Sequence, residues 1–382
     1  MSKRQSVRLL AGVMALATMV GFSQAVTDEE YDQWLQDAQL GPYQPEVEDW
    51  DEIMEMARDE PPLLIYVDTS RLLPVVDAYN EEHGFNIEAI NLSTNDVIER
   101  ARREWDAGLR NPGIIMTGNP AMIQERLLTR RAITNYVPRE LQEVIPPHEW
   151  EPVLRHRYSV GTWYYKNDEG ETGVPYDNIW ALTTDEWRNR VVMRDPLESG
   201  TLIAVFAALI SNADELEDMY EDYFGEPIEL TTPNAGYELV KRMLDNDLRI
   251  VPNARDVAET VSQASGRMVG LSTQSLYREV IEGTYDFELD TQIAPTILTL
   301  RNVGIGSMTE SPNQAKLIVR HIMSQEGGSP WWGADFPVNP LVEPTGEMAE
   351  LRLSSFATLW EPTVEEMIEI QDDFVDFFIQ YR

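Results

Sequence analysis

Short apolar runs alternate along this chain with longer stretches in which apolar residues recur at helical spacing. Residues 63–67 are continuously apolar, the mark of a buried parallel strand. A helical pattern follows over 71–82, an alternating pattern over 85–90, a helical one over 95–109 and a third strand-like run over 113–116. Thr117-Gly118-Asn119-Pro120 then opens a helix over 121–130. Trp163-Tyr164-Tyr165, Gly173-Val174-Pro175-Tyr176 and Ile179-Trp180-Ala181-Leu182 read as strands around a turn. The alternation then resumes, with a strand at 191–193, a very apolar core helix over 201–210, helices over 237–247 and 257–264, a strand at 268–271 and a helix over 276–282. Residues 296–300 and 303–305 have strand character, 313–323 a helical pattern, and 365–381 form a C-terminal amphipathic helix. Strands alternating with helices predict an α/β fold, with mostly parallel sheet flanked by helices on both faces.

Two segments stand before this pattern. Lys3, Arg4 and Arg8 precede an apolar run over residues 9–22, and Ser23-Gln24-Ala25 supplies small residues at the cleavage positions. That is the pattern of a signal peptide over residues 1–25, which predicts cleavage near Ala25 and export from the cytoplasm, to the periplasm if the resemblance below holds. The apolar run is ~14 residues, short of the roughly 20 that span a bilayer. No Cys follows it for a lipid anchor. Residues 26–61 form an acidic, helical extension in which Tyr31, Trp34 and Leu35 recur at helical spacing. It is expected either to pack on the surface of the domain that follows or to stay partly mobile.

The residues after the signal, ~357, suggest two domains of ordinary size. The chain has no Cys, so packing without disulfides must stabilise it in an oxidising compartment. Its formal net charge is −36, and only 4 of its 30 basic residues are Lys. Acid excess with scarce Lys fits a halophilic setting, where salt screens the self-repulsion of the compact state. Export and this charge argue against nucleic acid as a partner.

Four loops share one design: each follows a predicted strand, carries small hydroxyl or amide residues and opens a helix. They are Thr69-Ser70, Thr117-Gly118-Asn119, Ser199-Gly200-Thr201 and Thr273-Gln274-Ser275. Helix starts present free N–H groups, and ligands of open α/β sheets sit beyond the carboxyl ends of the strands. Converging, the loops would cradle an anion or a hydroxylated group. The same residue types are also ordinary N-caps.

These loops carry a family resemblance. "VVDAYNEEHGFNIEAI", "GIIMTGNPAMIQERLLTRRAITNYVP", "GVPYDNIWALT", "RDPLESGT" and "NVGIGSMTESPNQAKLIVRHIMSQEGG" stand in the order and spacing of segments in ABC-transporter substrate-binding proteins. The chain resembles the type II periplasmic binding fold, in the branch of the ferric-ion binding proteins, from about Leu63 to Pro340. The resemblance implies two lobes joined by a two-strand hinge, lobe 1 over residues 62–178 and 292–382 and lobe 2 over 179–291. "GVPYDNIWALT" resembles the stretch where the chain first crosses between lobes. The implied role is a monomeric receptor that passes its solute to an ABC permease in the inner membrane and does no chemistry on it.

Ferric binders hold iron with a His in the first loop, a Glu in the second and adjacent Tyr in the fourth. By position this chain offers Ser70, Gly118 and Gln274-Ser275 instead, with Tyr277 one helical turn inside. A hard ferric ion needs anionic oxygen, which these residues lack. The expectation is therefore a small anionic solute, with no metal and no cofactor. Thr69, Ser70, Thr117, Gly118, Asn119, Ser199, Gly200, Thr201, Thr273, Gln274 and Ser275 would supply donors. Arg71 would add a guanidinium, or is a solvated surface residue. Tyr176 would stack on an organic body, or packs at the hinge. A phosphorylated sugar, an organophosphonate and a carboxylate all remain open, with a ferric receptor as the alternative. A secreted hydrolase is the contrasting class, but no G-x-S-x-G, P-loop or H-E-x-x-H occurs, and His83, His148, His156 and His321 lack metal-ligand spacing.

Overall fold

The computed structural model describes residues 26–346 and 350–382. The predicted signal peptide lies outside the described residues. Among the described residues twelve strands join in one sheet. In chain order they are β1 (Leu64–Val67), β2 (Glu88–Asn91), β3 (Ile114–Thr117), β4 (Ile133–Thr134), β5 (Arg155–Lys166), β6 (Val191–Arg194), β7 (Arg249–Val251), β8 (Met268–Thr273), β9 (Glu288–Asp290), β10 (Thr296–Gly306), β11 (Phe336–Pro337) and β12 (Leu359–Trp360). The main path runs β2-β1-β3-β10-β5-β8-β6-β7.

The two ends of that path are parallel sheets. β1 pairs in parallel with β2 and β3 at one end, and β6 with β7 and β8 at the other. Parallel neighbours need crossover connections, which the intervening helices supply. Between the ends run two long antiparallel strands. β5 pairs with β10 from Arg155 to Gly161 and with β8 from Gly161 to Lys166. β10 returns to pair with β3 from Asn302 to Ile305. The chain therefore passes from one lobe to the other along β5 and comes back along β10, which makes the two-strand hinge.

Each lobe has its own core. Ile65, Val67, Val76, Met116, Ile318 and Trp331 pack together in the first. Trp163, Val191, Met193, Val205, Phe206 and Leu239 pack in the second. The helix Gly200–Ser211 is apolar on nearly every face because the sheet and the helices Ala235–Asp245 and Val364–Tyr381 surround it.

Three expectations change. Residues 173–176 and 179–182 are not strands: Gly173 has φ of +84°, Pro175 lacks a donor, and Ile179–Thr183 is a 3-10 turn capped by Asn178. The first crossing accordingly comes earlier, inside β5, and Trp163, Tyr165 and Tyr176 lie in the second core. The C-terminal helix Val364–Tyr381, grouped with lobe 1 in the sequence, buries Phe374 and Phe378 in the second core. Phe374 stacks on Phe206 with ring centroids 4.6 Å apart. The same helix also touches the first lobe, where Met367 packs on Ala121 and Gln371 donates to Glu125 at 2.7 Å.

Of the two options for the N-terminal extension, the structure takes packing. Its helices Asp28–Asp37 and Trp50–Arg58 send Leu35, Ile53 and Ala57 into the first core. Glu60 then accepts from the Asn313 and Gln314 N–H groups at 2.9 and 2.8 Å, at the start of the helix Pro312–Ile322. A carboxylate is favourable at that positive end. No helix among the described residues is long and apolar enough to cross a membrane.

Candidate functional site

Asp68 follows β1 and is buried at the carboxyl end of the first parallel sheet. Its Oδ2 accepts from Thr94 Oγ1 (3.0 Å), Thr117 Oγ1 (3.1 Å), Gly118 N (3.0 Å) and Arg301 Nη1 (2.9 Å). Burial raises the carboxyl, but Arg301 and the Gly118 N–H outweigh it and hold it below its ordinary value of 3.8. Asp68 is thus an ionised anchor for Arg301. A Cβ at position 118 would lie 2.5 Å from Arg301 Nη1, so glycine there lets the guanidinium lie against the loop.

Asp335, next to β11, anchors two more guanidiniums. Its Oδ2 accepts from Arg71 Nη1 and from Arg157 Nε, each at 3.1 Å. Arg157 is fully buried on β5, with its guanidinium carbon 5.0 Å from the centre of the Trp331 ring. Burial lowers it to about 10, so it stays charged at neutral pH. Arg157 also donates to His156 Nδ1 at 2.8 Å, while His156 Nε2 donates to the Ile322 carbonyl at 2.9 Å. Those roles follow because a guanidinium only donates and a carbonyl only accepts. Burial, and then Arg157, keep His156 well below 6.5 and therefore neutral.

The second lobe contributes three arginines to the same space. Arg194 closes β6 and donates only to neutral oxygens, Ser199 Oγ at 3.3 Å and the Glu198 carbonyl at 2.9 Å. Its Nε is buried without a partner, as is the Nε of Arg278. Arg278 has Glu282 no nearer than 3.6 Å. Arg255 pairs with Glu279 at 3.1 Å. Burial lowers Arg194, and Arg301 lowers it further.

These side chains line one interlobe cleft of about 540 Å³. Six arginines (Arg71, Arg157, Arg194, Arg255, Arg278 and Arg301) face three carboxylates there (Asp68, Glu279 and Asp335), a formal excess of three positive charges. The whole chain carries −36. The cleft is therefore a cationic, donor-rich site in an acidic protein, chemically suited to oxyanions. Among the described residues no group of three or more His, Cys, Asp and Glu is placed to hold a metal ion.

Of the residues expected from sequence, Thr69, Ser70, Arg71, Thr273 and Ser275 line this cleft. Ser199 and Thr201 line a recess of about 60 Å³ that shares Arg194, Thr273 and Arg301 with it. Gly200 lets the second lobe approach the first, since a Cβ there would lie 3.1 Å from Asn119 Nδ2 and from Thr94 Cγ2. Thr117 and Gly118 are spent on Asp68 beneath the cleft. Asn119 has φ of +57° and caps the helix Pro120–Ile123 through Met122 N.

Gln274 and Tyr176 lie elsewhere. Gln274 is fully buried and ties the hinge, accepting from Val160 N at 2.7 Å and donating to the Ala334 carbonyl at 2.8 Å. Tyr176 is buried in the second core, donates to Asp290 at 2.7 Å and meets the Trp187 ring edge-on, so it faces no ligand space.

Sequence reasoning missed Asp68, Arg157, Arg194, Arg255, Arg278, Arg301 and Asp335. The readable signal was a charged residue set into or just after an apolar strand, as with Asp68, Arg194 and Arg301. Buried strand ends carry charge only at a cost unless it is paired.

No protein-family model matches the chain, and no curated protein matches it either. Solved structures do resemble it. The ferric binding protein from Campylobacter jejuni shares 15% identity, covering 84% of this chain and 99% of its own, at a TM-score of 0.64. Iron-bound HitA from Pseudomonas aeruginosa shares 13% over 84% and 99%, at 0.63. AfuA from Actinobacillus pleuropneumoniae, solved with fructose-6-phosphate bound, shares 14% over 84% and 97%, also at 0.63. At such identities the likeness shows the fold: this chain has the two-lobed architecture of periplasmic binding proteins.

Proposed function

We propose that this protein is the periplasmic solute-binding receptor of an ABC importer and captures a small phosphorylated or carboxylated organic anion between its lobes. The single observation that carries the reading is the gathering of six arginines in one interlobe cleft of a chain with net charge −36. Arg194 and Arg278 have no carboxylate within hydrogen-bond reach, so an incoming oxyanion completes them. The two-strand hinge allows the walls to close on a ligand. The receptor works as a monomer, hands its solute to a membrane permease and performs no chemistry on it.

Of the solved structures similar in fold, one is a ferric binding protein, one is iron-bound HitA and a third is AfuA with fructose-6-phosphate bound. The cleft chemistry favours the latter cargo. Ferric iron needs free anionic oxygen, whereas Asp68, Asp335 and Glu279 are each engaged by arginine. Thermal unfolding of the purified chain, lacking the signal segment, separates the readings. Glucose 6-phosphate or 3-phosphoglycerate at about 100 times its Kd should stabilise the native state by about 2.7 kcal/mol. Stabilisation by ferric citrate alone would overturn the proposal.

A further inference from the structure

The arginines of the cleft fall into two sets. Arg194 and Arg301 line both the cleft and the recess, one from the second lobe and one from the returning hinge strand β10. Arg71, Arg157, Arg255 and Arg278 line the cleft but not the recess, again with one lobe facing the other, and Arg157 is tied to Asp335. The recess, at about 60 Å³, has room for about four waters at the ~10–15 Å³ each occupies by this measure. That suits one oxyanion group and excludes a sugar ring. Thr201, Thr273 and Thr299 add hydroxyls to its wall. The wider space beyond holds the body of a small molecule and a second anion.

Charge leads to the same conclusion. Six guanidiniums against the three lining carboxylates leave a formal excess of three positive charges, reduced to two when Glu282, 3.6 Å from Arg278, is counted. A phosphate monoester supplies about −1.5 to −2 at neutral pH. One such group leaves up to about one and a half positive charges uncompensated, in a place where unpaired charge is costly. Two phosphates, or a phosphate and a carboxylate, bring the cleft near neutrality.

We infer that the solute carries two separated anionic groups, a phosphate ester together with a second phosphate or a carboxylate. One group is held by Arg194 and Arg301 at the recess and the other by Arg71, Arg255 and Arg278. This rests on the anion-receptor reading above and narrows its substrate class. Each anion bridges arginines from opposite walls, so both are needed to offset the repulsion between walls as the cleft closes.

Isothermal titration of the unaltered protein with fructose 1,6-bisphosphate, 3-phosphoglycerate, glucose 6-phosphate and inorganic phosphate tests the inference. Either doubly anionic probe should bind on the order of 10- to 100-fold more tightly than glucose 6-phosphate, as expected for one added set of charge-assisted hydrogen bonds. Arg194→Gln and Arg278→Gln, each checked for a native melting transition, should reduce that advantage severalfold without abolishing monophosphate binding. Equal affinity for single and double anions overturns the two-anion inference and leaves the receptor reading standing. Failure of all four probes to bind, with ferric citrate binding instead, overturns both. The probe comparison needs no variant, so a misfolded substitution cannot mask the answer.

Discussion

Two arginine-lined concavities among the described residues differ in what surrounds them. The larger, about 760 Å³ on the outer side of the second lobe, sets Arg190, Arg249 and Arg267 among Asp168, Asp256 and Glu259. Arg267 alone meets Glu171 and Glu186 at 2.8 Å and Asp168 at 3.5 Å. The interlobe cleft is smaller, about 540 Å³, yet holds twice as many guanidiniums as carboxylates. In a chain this acidic, paired arginine is the rule on the surface, so size is a poor guide to function. An arginine held away from acids is the informative one: Arg194 donates only to neutral oxygens, and Arg278 has a single acid, Glu282, at 3.6 Å.

The strongest way to break the comparison is at Asp68. Asp68→Ala strands Arg301 and removes the acceptor of Thr94, Thr117 and the Gly118 N–H. Loss of one partner from a buried pair costs about 3–5 kcal/mol, readable by urea denaturation. Glu171→Ala in the outer cluster should leave the urea midpoint unresolved from that of the parent. Asp68 also predicts a pH dependence. Its folded carboxyl lies below its ordinary 3.8, so the unfolded chain binds the proton more readily. The stabilisation is complete above 3.8 and is lost as pH falls through the folded value. The gap in stability between parent and Asp68→Asn should therefore shrink only in strong acid; a gap that is constant down to pH 2 would contradict the ionised anchor.

A smaller effect separates the two arginine clusters directly. Arg194→Gln should weaken binding of a doubly anionic phosphate ester severalfold, while Arg267→Gln leaves titration calorimetry unchanged. The mildest contrast is in salt. Raising NaCl from about 0.1 M to 1 M shortens the screening length from ~10 to ~3 Å. Outer-surface repulsion then falls and Tm should rise on the order of 5 °C, while affinity in the cationic cleft drops roughly tenfold. Tm and affinity moving in the same direction would remove the distinction between cleft and surface.

The lobes were legible because strands β1, β3, β6 and β8 are continuous apolar runs bounded by polar loops. Less legible was the hinge. β10 read as two strands because Arg301 and Asn302 interrupt its apolar residues, and the structure has a register shift at that point. The interruption taken for a strand end is the place where the site's arginine enters. That Thr69, Ser70, Arg71, Thr273 and Ser275 line the cleft was legible because loops after parallel strands converge. Gln274 and Tyr176 misled for a common reason: a polar side chain close to a site in sequence can spend its hydrogen bonds inside the protein. Arg157, Arg194, Arg255, Arg278 and Arg301 come from five separate elements, and only the folded topology brings them together.

The central claim is that the cleft, and not the larger outer cavity, binds an oxyanion. A crystal structure of the protein grown with a phosphate ester tests it most directly. The account predicts phosphate oxygens ~2.7–3.0 Å from guanidinium nitrogens of Arg194 or Arg278, with both lobes contributing contacts. Phosphate seated on the Arg267 cluster, or a cleft filled only by water at saturating ester, would contradict it.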